Sequence, residues 1–299
     1  MMDRVLFGDN QFFGINHMSE EKARAQAIRF KDTQAVIEVL DIAYAEGIRT
    51  FMCTTHDRIA EICDHVRANP RHYQGFQFYP CMPYAHKYAN AMTDHGMLGA
   101  VKRFLPEQGL FDAMLRGGAS LAKKEVDGIA TLLIDAEMKM FAGLSTPVIF
   151  FQNVLTDFLL GLGFKAAFRV FADHVKERYG AEPGFITMNM PKLLDALDEV
   201  GVENPIICAN INKIGFRMCG GLAAYEQALK ERRFRPIAMS VLASGAIPPR
   251  EAIEYVCNLP NIESIVFGAS GRGNIRQTKL LIDELTAIHS MTHTAKASK

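Results

Sequence analysis

Short apolar runs alternate with amphipathic helical patterns along this chain, and that alternation limits the folds that it can adopt. The runs lack the polar alternation of a half-exposed strand, which is typical of a parallel sheet covered on both faces. Eight βα units in roughly 250–300 residues predict an α/β fold, the (β/α)8 TIM barrel. The predicted strands are Val5–Phe7, Ile48–Cys53, Phe76–Cys81, Gly128–Ile134, Phe185–Met188, Pro205–Ala209, Pro236–Leu242 and Ser264–Phe267.

A doubly wound open sheet is the alternative, but the first turn, Gly8–Gly14 (GDNQFFG), lacks the GxGxxG spacing of that fold. We therefore predict a single barrel domain over residues 1–290. Helical insertions are expected after strands 3 and 4, at about residues 83–127 and 137–183. Residues 291–299 have little to bury and are predicted to form a flexible tail.

Composition narrows the function classes. Lys plus Arg and Asp plus Glu are each 33, so the net charge is zero, which argues against a nucleic-acid binder or a polybasic membrane anchor. The most apolar stretch, Pro147–Phe171, contains five polar or charged residues, which argues against a membrane span. Six scattered cysteines without a CxxC pair, and an N-terminus without a signal-peptide pattern, predict reduced thiols and a cytoplasmic protein.

Polar side chains follow the predicted strands, and the reacting groups of a barrel lie at the C-terminal ends of its strands. The first strand leads into Asp9 and Asn10. Further candidates at later strand ends are Cys53, Thr54, His56, Cys81, Tyr84, Asp135, Glu137 and Asn189.

The last two strands lead into loops that resemble an anion site. Ser240–Gly245 (SVLASG) and Gly268–Thr278 (GASGRGNIRQT) combine glycines, hydroxyls and arginines, and the second loop runs into a helix N-terminus that favours anions. Barrels often bind phosphate here, although the glycines could also serve only a tight turn. The predicted ligand-binding residues in these loops are Ser240, Leu242, Ser244, Gly245, Gly268, Ser270, Arg272, Asn274 and Arg276.

Four segments in this order resemble motifs of the aldo-keto reductase superfamily: Gly47–Thr55 (GIRTFMCTT), Phe185–Met190 (FITMNM), Met239–Gly245 (MSVLASG) and Gly268–Thr278. The resemblance implies the barrel fold and a nicotinamide cofactor, NADP or NAD, bound by the last two loops. It places Asn189 where the family has its nicotinamide-binding Asn. It also implies a small carbonyl or alcohol substrate.

The catalytic Asp, Tyr, Lys and His of that family are replaced here by Cys53, His56, Cys81 and Asp135. We consider three hypotheses for these positions. His56 acts as a general acid, with Asp57 or Asp135 tuning its pKa; the four side chains bind a catalytic zinc ion; or Cys53 and His56 form a nucleophilic thiolate–imidazolium pair. The structural alternatives are a surface histidine and buried apolar thiols.

The leading functional hypothesis is an aldo-keto-reductase-like oxidoreductase. The alternative is a non-redox lyase, isomerase or hydrolase, metal- or thiol-dependent, acting on a phosphorylated small molecule. A catalytically inactive barrel that binds a protein partner is the third hypothesis, and the insertions offer contacts for a homo-oligomer.

Overall fold

Eight parallel strands pair in chain order and close into a barrel, with β1 hydrogen-bonded to both β2 and β8. The computed structural model describes residues 2–14, 19–84, 131 and 133–297. The predicted TIM-barrel fold is thus confirmed. The strands are β1 (Val5–Gly8), β2 (Thr50–Thr54), β3 (Gln77–Met82), β4 (Val148–Phe151), β5 (Glu182–Thr187), β6 (Ile206–Asn210), β7 (Arg235–Met239) and β8 (Ser264–Phe267).

Helices cover the outer face of this barrel. The signals that bound them are local: Asp32 caps α2 by accepting a hydrogen bond from the Gln34 backbone N–H at 3.0 Å, and Gly47 beyond the helix has φ +87°. The helices are α1 (Glu20–Arg29), α2 (Thr33–Ala45), α3 (Asp57–Ala68), α4 (Asn153–Leu162), α5 (Ala166–Tyr179), α6 (Met190–Glu199), α7 (Leu222–Glu231), α8 (Pro249–Asn258) and α9 (Arg272–Ala297).

Alternate residues of each strand belong to two separate apolar clusters. One cluster consists of strand residues with Met2 and fills the barrel; it includes Leu6, Met52, Cys81, Phe150 and Cys208. The other includes the intervening strand residues, among them Phe7, Phe51 and Cys53, and packs them against the helices. A shift of one residue along a strand therefore moves a side chain from the barrel interior to the helix layer.

The fourth predicted strand, Gly128–Ile134, is wrong. Residues 133–138 are helical, and β4 is Val148–Phe151, inside the segment predicted as an insertion at 137–183. That segment is an ordinary βα unit, because β4, α4 and α5 account for most of it. The periodicity of a short apolar run does not distinguish a buried strand from a buried helix. This explains why the fourth strand was predicted in the wrong segment.

Two other expectations concern the insertions and the C-terminal tail. The insertion predicted at 83–127 lies almost wholly outside the described residues. The tail predicted at 291–299 is helical up to Ala297, since α9 continues through it. Among the described helices, none combines the length and apolar character needed to cross a membrane.

Candidate functional site

A cavity of about 370 Å³ opens at the C-terminal ends of the strands. Its apolar lining comes from the barrel interior. Its polar lining comes from the end of β2, from α1 and from the residues that follow β1, β4 and β7. The apolar and thiol members are Met52, Cys81, Ile186, Cys208, Met239 and Val266; the polar members include Asp9, Asn10, Gln11, Gln26, Thr54, Gln152, Asn153, Ser240 and Ser244.

The loop after β7 forms one wall of this cavity in an unusual backbone conformation. Ser240, Ala243 and Ser244 all have positive φ, at +54°, +45° and +58°, and Gly245 follows at +92°. A non-glycine residue in this region costs about 1–3 kcal/mol, and such residues cluster at ligand-binding sites. Ser240, Leu242, Ser244 and Gly245 line the cavity, so the structure brings together all the residues predicted from this loop.

The loop after β8 divides into an inner and an outer part. Gly268 lines the cavity beside Gln11, whereas the Ser270 carbonyl accepts a hydrogen bond from Arg29 Nη2 at 2.6 Å. Arg272 and Arg276 are 64% and 67% exposed and lie 3.7 and 4.0 Å from the Glu46 carboxylate. The predicted residues Ser270, Arg272, Asn274 and Arg276 therefore lie at the start of α9, outside the cavity lining.

Asp9 brings a carboxyl group into the cavity at the end of β1. Its Oδ2 accepts two hydrogen bonds from Thr54 at the end of β2, from the backbone N–H at 2.8 Å and from Oγ1 at 2.7 Å. Asp9 is buried, and burial raises the pKa of its carboxyl even though the bonds from Thr54 oppose that shift. The carboxyl is therefore held in one orientation and retains protons more strongly than an exposed aspartate.

Cys53 and Cys81, both predicted as catalytic, lie on opposite faces of the barrel wall. Cys81 lines the cavity, whereas Cys53 packs in the helix-facing cluster with Ile59 and Cys63. Burial raises the pKa of both thiols well above the usual value, so both hold their protons at neutral pH. The geometry consequently does not provide the thiolate–imidazolium pair hypothesised for Cys53 and His56.

His56 caps α3. Its Nδ1 accepts a hydrogen bond from the Arg58 backbone N–H at 3.1 Å, and its ring stacks on Phe13 with centroids 4.3 Å apart. The Tyr84 ring lies 5.8 Å away, at the end of β3. Nδ1 of His56 is therefore engaged in capping the N-terminus of α3. This is the structural alternative to the general-acid hypothesis.

Asp135 does not reach the site, because the strand predicted to carry it is a helix. It lies on the outside of the barrel and accepts hydrogen bonds from His174 Nε2 at 2.8 Å and from the Tyr179 hydroxyl, both on α5. Glu137, two residues later, is buried instead at the end of β2 and β3. It accepts hydrogen bonds from the Thr55 hydroxyl and the Tyr84 backbone N–H.

The zinc hypothesis required Cys53, His56, Cys81 and Asp135 to converge, and the structure separates them. Cys53 faces the helices, Cys81 faces the cavity and Asp135 binds α5. Within residues 2–14, 19–84, 131 and 133–297, no three His, Cys, Asp or Glu side chains are grouped as a metal site.

Asn189, the residue matched to a nicotinamide-binding Asn, is the N-cap of α6. Its Oδ1 accepts from the Lys192 backbone N–H at 3.4 Å, and its own N–H donates to Thr187 Oγ1 at 2.8 Å. It is not among the residues that line the cavity in the described part of the chain.

Sequence reasoning placed Asp9 and Thr54 at strand ends but did not select them as functional, and it missed Gln11, Gln152 and Asn153. The only signal in the sequence for these residues was their position, because each lies at or shortly after the end of β1, β2 or β4. Gln152 and Asn153 were hidden because β4 was assigned to a different segment.

These features define the molecule as a parallel (β/α)8 barrel with a ligand-sized cavity at its C-terminal mouth. Solved aldo-keto reductases share this fold. An aldo/keto reductase from Brucella melitensis has a TM-score of 0.53 at 10% identity, covering 96% of this chain and 95% of that chain. An aldose reductase from Giardia lamblia has a TM-score of 0.54 at 10% identity, covering 96% and 92%.

A protein from Pseudomonas aeruginosa assigned as an aldo-keto reductase has a TM-score of 0.59 at 11% identity, covering 95% of this chain and 90% of that chain. The sequence itself matches no protein-family model and no curated protein. The expected likeness to aldo-keto reductases is therefore confirmed for the fold, and the function must be argued from the cavity.

Proposed function

We propose that this chain is an aldo-keto-reductase-like oxidoreductase that uses NADP or NAD to interconvert a small carbonyl compound and its alcohol. The observation that carries the proposal is the strained backbone of Ser240–Gly245, which forms one wall of the cavity. Gly268, which has no side chain, also lines the cavity. Both segments come from the loops after β7 and β8, where barrels often bind phosphate-bearing ligands. The fold shared with aldo-keto reductases supports the same assignment.

The residues present fit such a cofactor. Gln11 is only 5% exposed, and its Nε2 donates to the Gly8 carbonyl at 2.8 Å, but its Oε1 has no hydrogen-bond partner among the described residues. A buried acceptor without a donor is unfavourable by about 1–3 kcal/mol. Gln11 would therefore help to hold the nicotinamide, whose carboxamide N–H could supply the missing donor.

The outer part of the β8 loop suits the phosphate groups. Arg272 and Arg276 share a single acid, Glu46, at distances beyond a direct hydrogen bond, and α9 begins at Arg272. Two exposed guanidinium groups with one carboxylate leave net positive charge beside a helix N-terminus, which attracts anions.

When bound, the cofactor supplies or accepts a hydride. The chain's own contribution is to exclude water and to position the substrate. Met52, Ile186 and Met239 give the cavity an apolar lining, while Asn10, Gln152 and Asn153 provide amide groups that can bind the polar atoms of a small substrate. The proton that accompanies the hydride has to come from a side chain in the same cavity.

Titration of the purified protein with NADPH and with NADH tests the proposal. We expect quenching of the cofactor fluorescence and a rise in Tm with at least one of them. Arg272→Ala should weaken binding by about 1.5–3 kcal/mol if the guanidinium binds a phosphate. Arg250→Ala is the control, because Arg250 is an exposed arginine on α8 that pairs with Glu284 of α9 and does not line the cavity.

A response to neither cofactor would overturn the redox assignment. Binding of inorganic phosphate alone, lost in Arg272→Ala, would instead support a non-redox enzyme acting on a phosphorylated molecule.

A further inference from the structure

Asp9 differs from every other side chain in the described cavity lining. It is the only Asp, Glu, His, Lys, Arg or Tyr among those lining residues, so it is the one carboxyl or basic group there that can exchange a proton with a substrate. The two other titratable groups in the lining are the thiols of Cys81 and Cys208. Burial raises the pKa of both thiols, which keeps them protonated.

We propose that Asp9 is the catalytic acid and base of this cavity, transferring a proton to the substrate oxygen during reduction and removing it during oxidation. The inference rests on the proposed function and assigns the proton transfer to the residue that directly follows β1. None of the four positions that correspond to the family's catalytic residues is involved.

The carboxyl group is held in place from two strands. Both hydrogen bonds from Thr54 go to Oδ2, and the Asp9 carbonyl accepts the Phe12 backbone N–H at 2.9 Å. Because both bonds from Thr54 go to Oδ2, we assign Oδ1 as the oxygen that meets the substrate oxygen. A general acid has to be oriented before the reaction, and this arrangement supplies that orientation.

Burial, and not a neighbouring charge, favours the protonated form of Asp9. The titratable neighbours are Cys53 on β2, Cys81 on β3 and Tyr84 beyond β3, with raised pKa values due first to burial and then to the Asp9 charge. On the other side, Val266, Phe267 and Gly268 carry no charge. Burial raises the pKa of Asp9 itself toward the range useful to a catalyst.

The reduction adds a hydride from the nicotinamide and a proton from Asp9 to the carbonyl group. The carbonyl carbon takes the hydride of a reduced nicotinamide, the C=O π bond breaks, and its electron pair forms an O–H bond with the proton of the Asp9 carboxyl. Asp9 is left as a carboxylate, and solvent returns its proton when the product leaves. Oxidation of the alcohol runs through the same transfers in reverse.

Asp9→Asn tests the proposal directly, with NADPH as the cofactor and propanal as the carbonyl probe. We expect NADPH affinity within about twofold of wild type and a loss of about 10²–10⁴-fold in turnover. Asp283→Asn on α9, an exposed aspartate paired with Lys279, is the control and should leave turnover unchanged. Unchanged turnover in an Asp9→Asn variant that binds NADPH would overturn this inference alone.

Thr54→Val provides a second test that does not remove the carboxyl. Loss of the Oγ1 hydrogen bond should raise the pKa of Asp9, so the pH at which turnover falls moves upward while the folded state persists. Infrared spectroscopy should show a carboxyl of Asp9 that stays protonated to higher pH than an exposed aspartate does, because burial raises its pKa, and the band should be missing in Asp9→Asn. An unshifted pH profile together with an ionised Asp9 at pH 5 would refute the assignment. Failure of wild type to bind NADPH or NADH would overturn the proposed function and this inference together.

Discussion

Gly184 lies directly opposite Phe150 in the β4–β5 pair, and the phenyl ring occupies the space that a side chain at position 184 would take. A Cβ added to Gly184 would come within 2.4 Å of the Phe150 ring. Phe150 is fully buried in the cluster that fills the barrel. The ring therefore fits the interior only because its neighbour on the next strand has no side chain.

Gly184→Ala should accordingly destabilise the barrel by about 1–3 kcal/mol, the usual effect of overpacking a core. Chemical denaturation measures the change in the free energy of unfolding. The double variant with Phe150→Leu should recover part of the loss because the ring is gone. Gly161→Ala in α4 is the control: its Cβ meets no atom within 4 Å, so stability should stay the same or rise. Equal effects of the two alanine substitutions would contradict the steric account.

Gly268→Ala tests the corresponding contact beside the cavity. An added Cβ would lie 2.0 Å from Gln11 Oε1, so the amide end of that side chain has to move, which should weaken its hydrogen bond to the Gly8 carbonyl. We expect a loss of about 1–2 kcal/mol in unfolding free energy, and weaker NADPH binding in the same variant. Gln11→Ala combined with Gly268→Ala should be less harmful than the sum of the single changes. Gly273→Ala, with open space around its Cβ, should have little effect; strict additivity of the pair would argue against the contact.

His56 presents a choice between a structural and a catalytic role. His56→Ala should lower the free energy of unfolding by about 0.5–2 kcal/mol, since α3 loses the acceptor for the Arg58 N–H. His56→Asn should restore most of that stability, because asparagine is a good N-cap. With the cap as its role, turnover at saturating substrate should change by a few-fold at most. A large loss of turnover in both variants would instead revive the general-acid hypothesis.

Asp135 should contribute to stability in a pH-dependent way. Burial opposes its ionisation, but hydrogen bonds from Tyr179 and His174 and nearby positive charge lower the pKa of the carboxyl overall. A lowered pKa in the folded state stabilises the protein above about pH 3.9, the usual aspartate value, and this stabilisation disappears as the pH falls through the folded pKa. Because Asp135 is partly exposed, Asp135→Asn should cost only about 0.5–1 kcal/mol at pH 7.

Denaturation of wild type and Asp135→Asn at pH 7 and at pH 3 measures this difference. The difference in unfolding free energy between the two proteins should be smaller at pH 3 than at pH 7. Tyr179→Phe should reproduce part of the effect by removing one donor. A gap between the curves that persists unchanged at pH 3 would show that the hydrogen bonds, and not the ionised carboxylate, stabilise the contact.

The barrel could be predicted from sequence because seven of its strands are bounded by helices with clear caps and stops, such as Asp32 and Gly47. The β7 and β8 loops could be predicted because their residues are contiguous, so Ser240–Gly245 and Gly268 emerge from one motif each. Cys53 shows why the rest could not. β2 is buried along its whole length, and nothing in the sequence of such a strand tells which alternate residues face the barrel interior.

Asp135 shows a second limit. Its assignment to the site depended on a strand at Gly128–Ile134, whose apolar run fits a buried helix equally well. Once that strand was misplaced, Gln152 and Asn153 after the true β4 went unnoticed. The error in this one element thus added a false candidate, Asp135, and hid two polar lining residues, Gln152 and Asn153, whereas the position of Asp9 after β1 was predicted correctly.

The pairing of β1 with β8 has a consequence for how the cavity is assembled during synthesis. Asp9 is synthesised well before Gly268 and the rest of the closing seam, because β8 is the last strand of the barrel in chain order. A nascent chain that stops before β8 contains Asp9 and Thr54 but cannot close the barrel around them. Ligand binding in this protein should therefore report completion of the entire barrel.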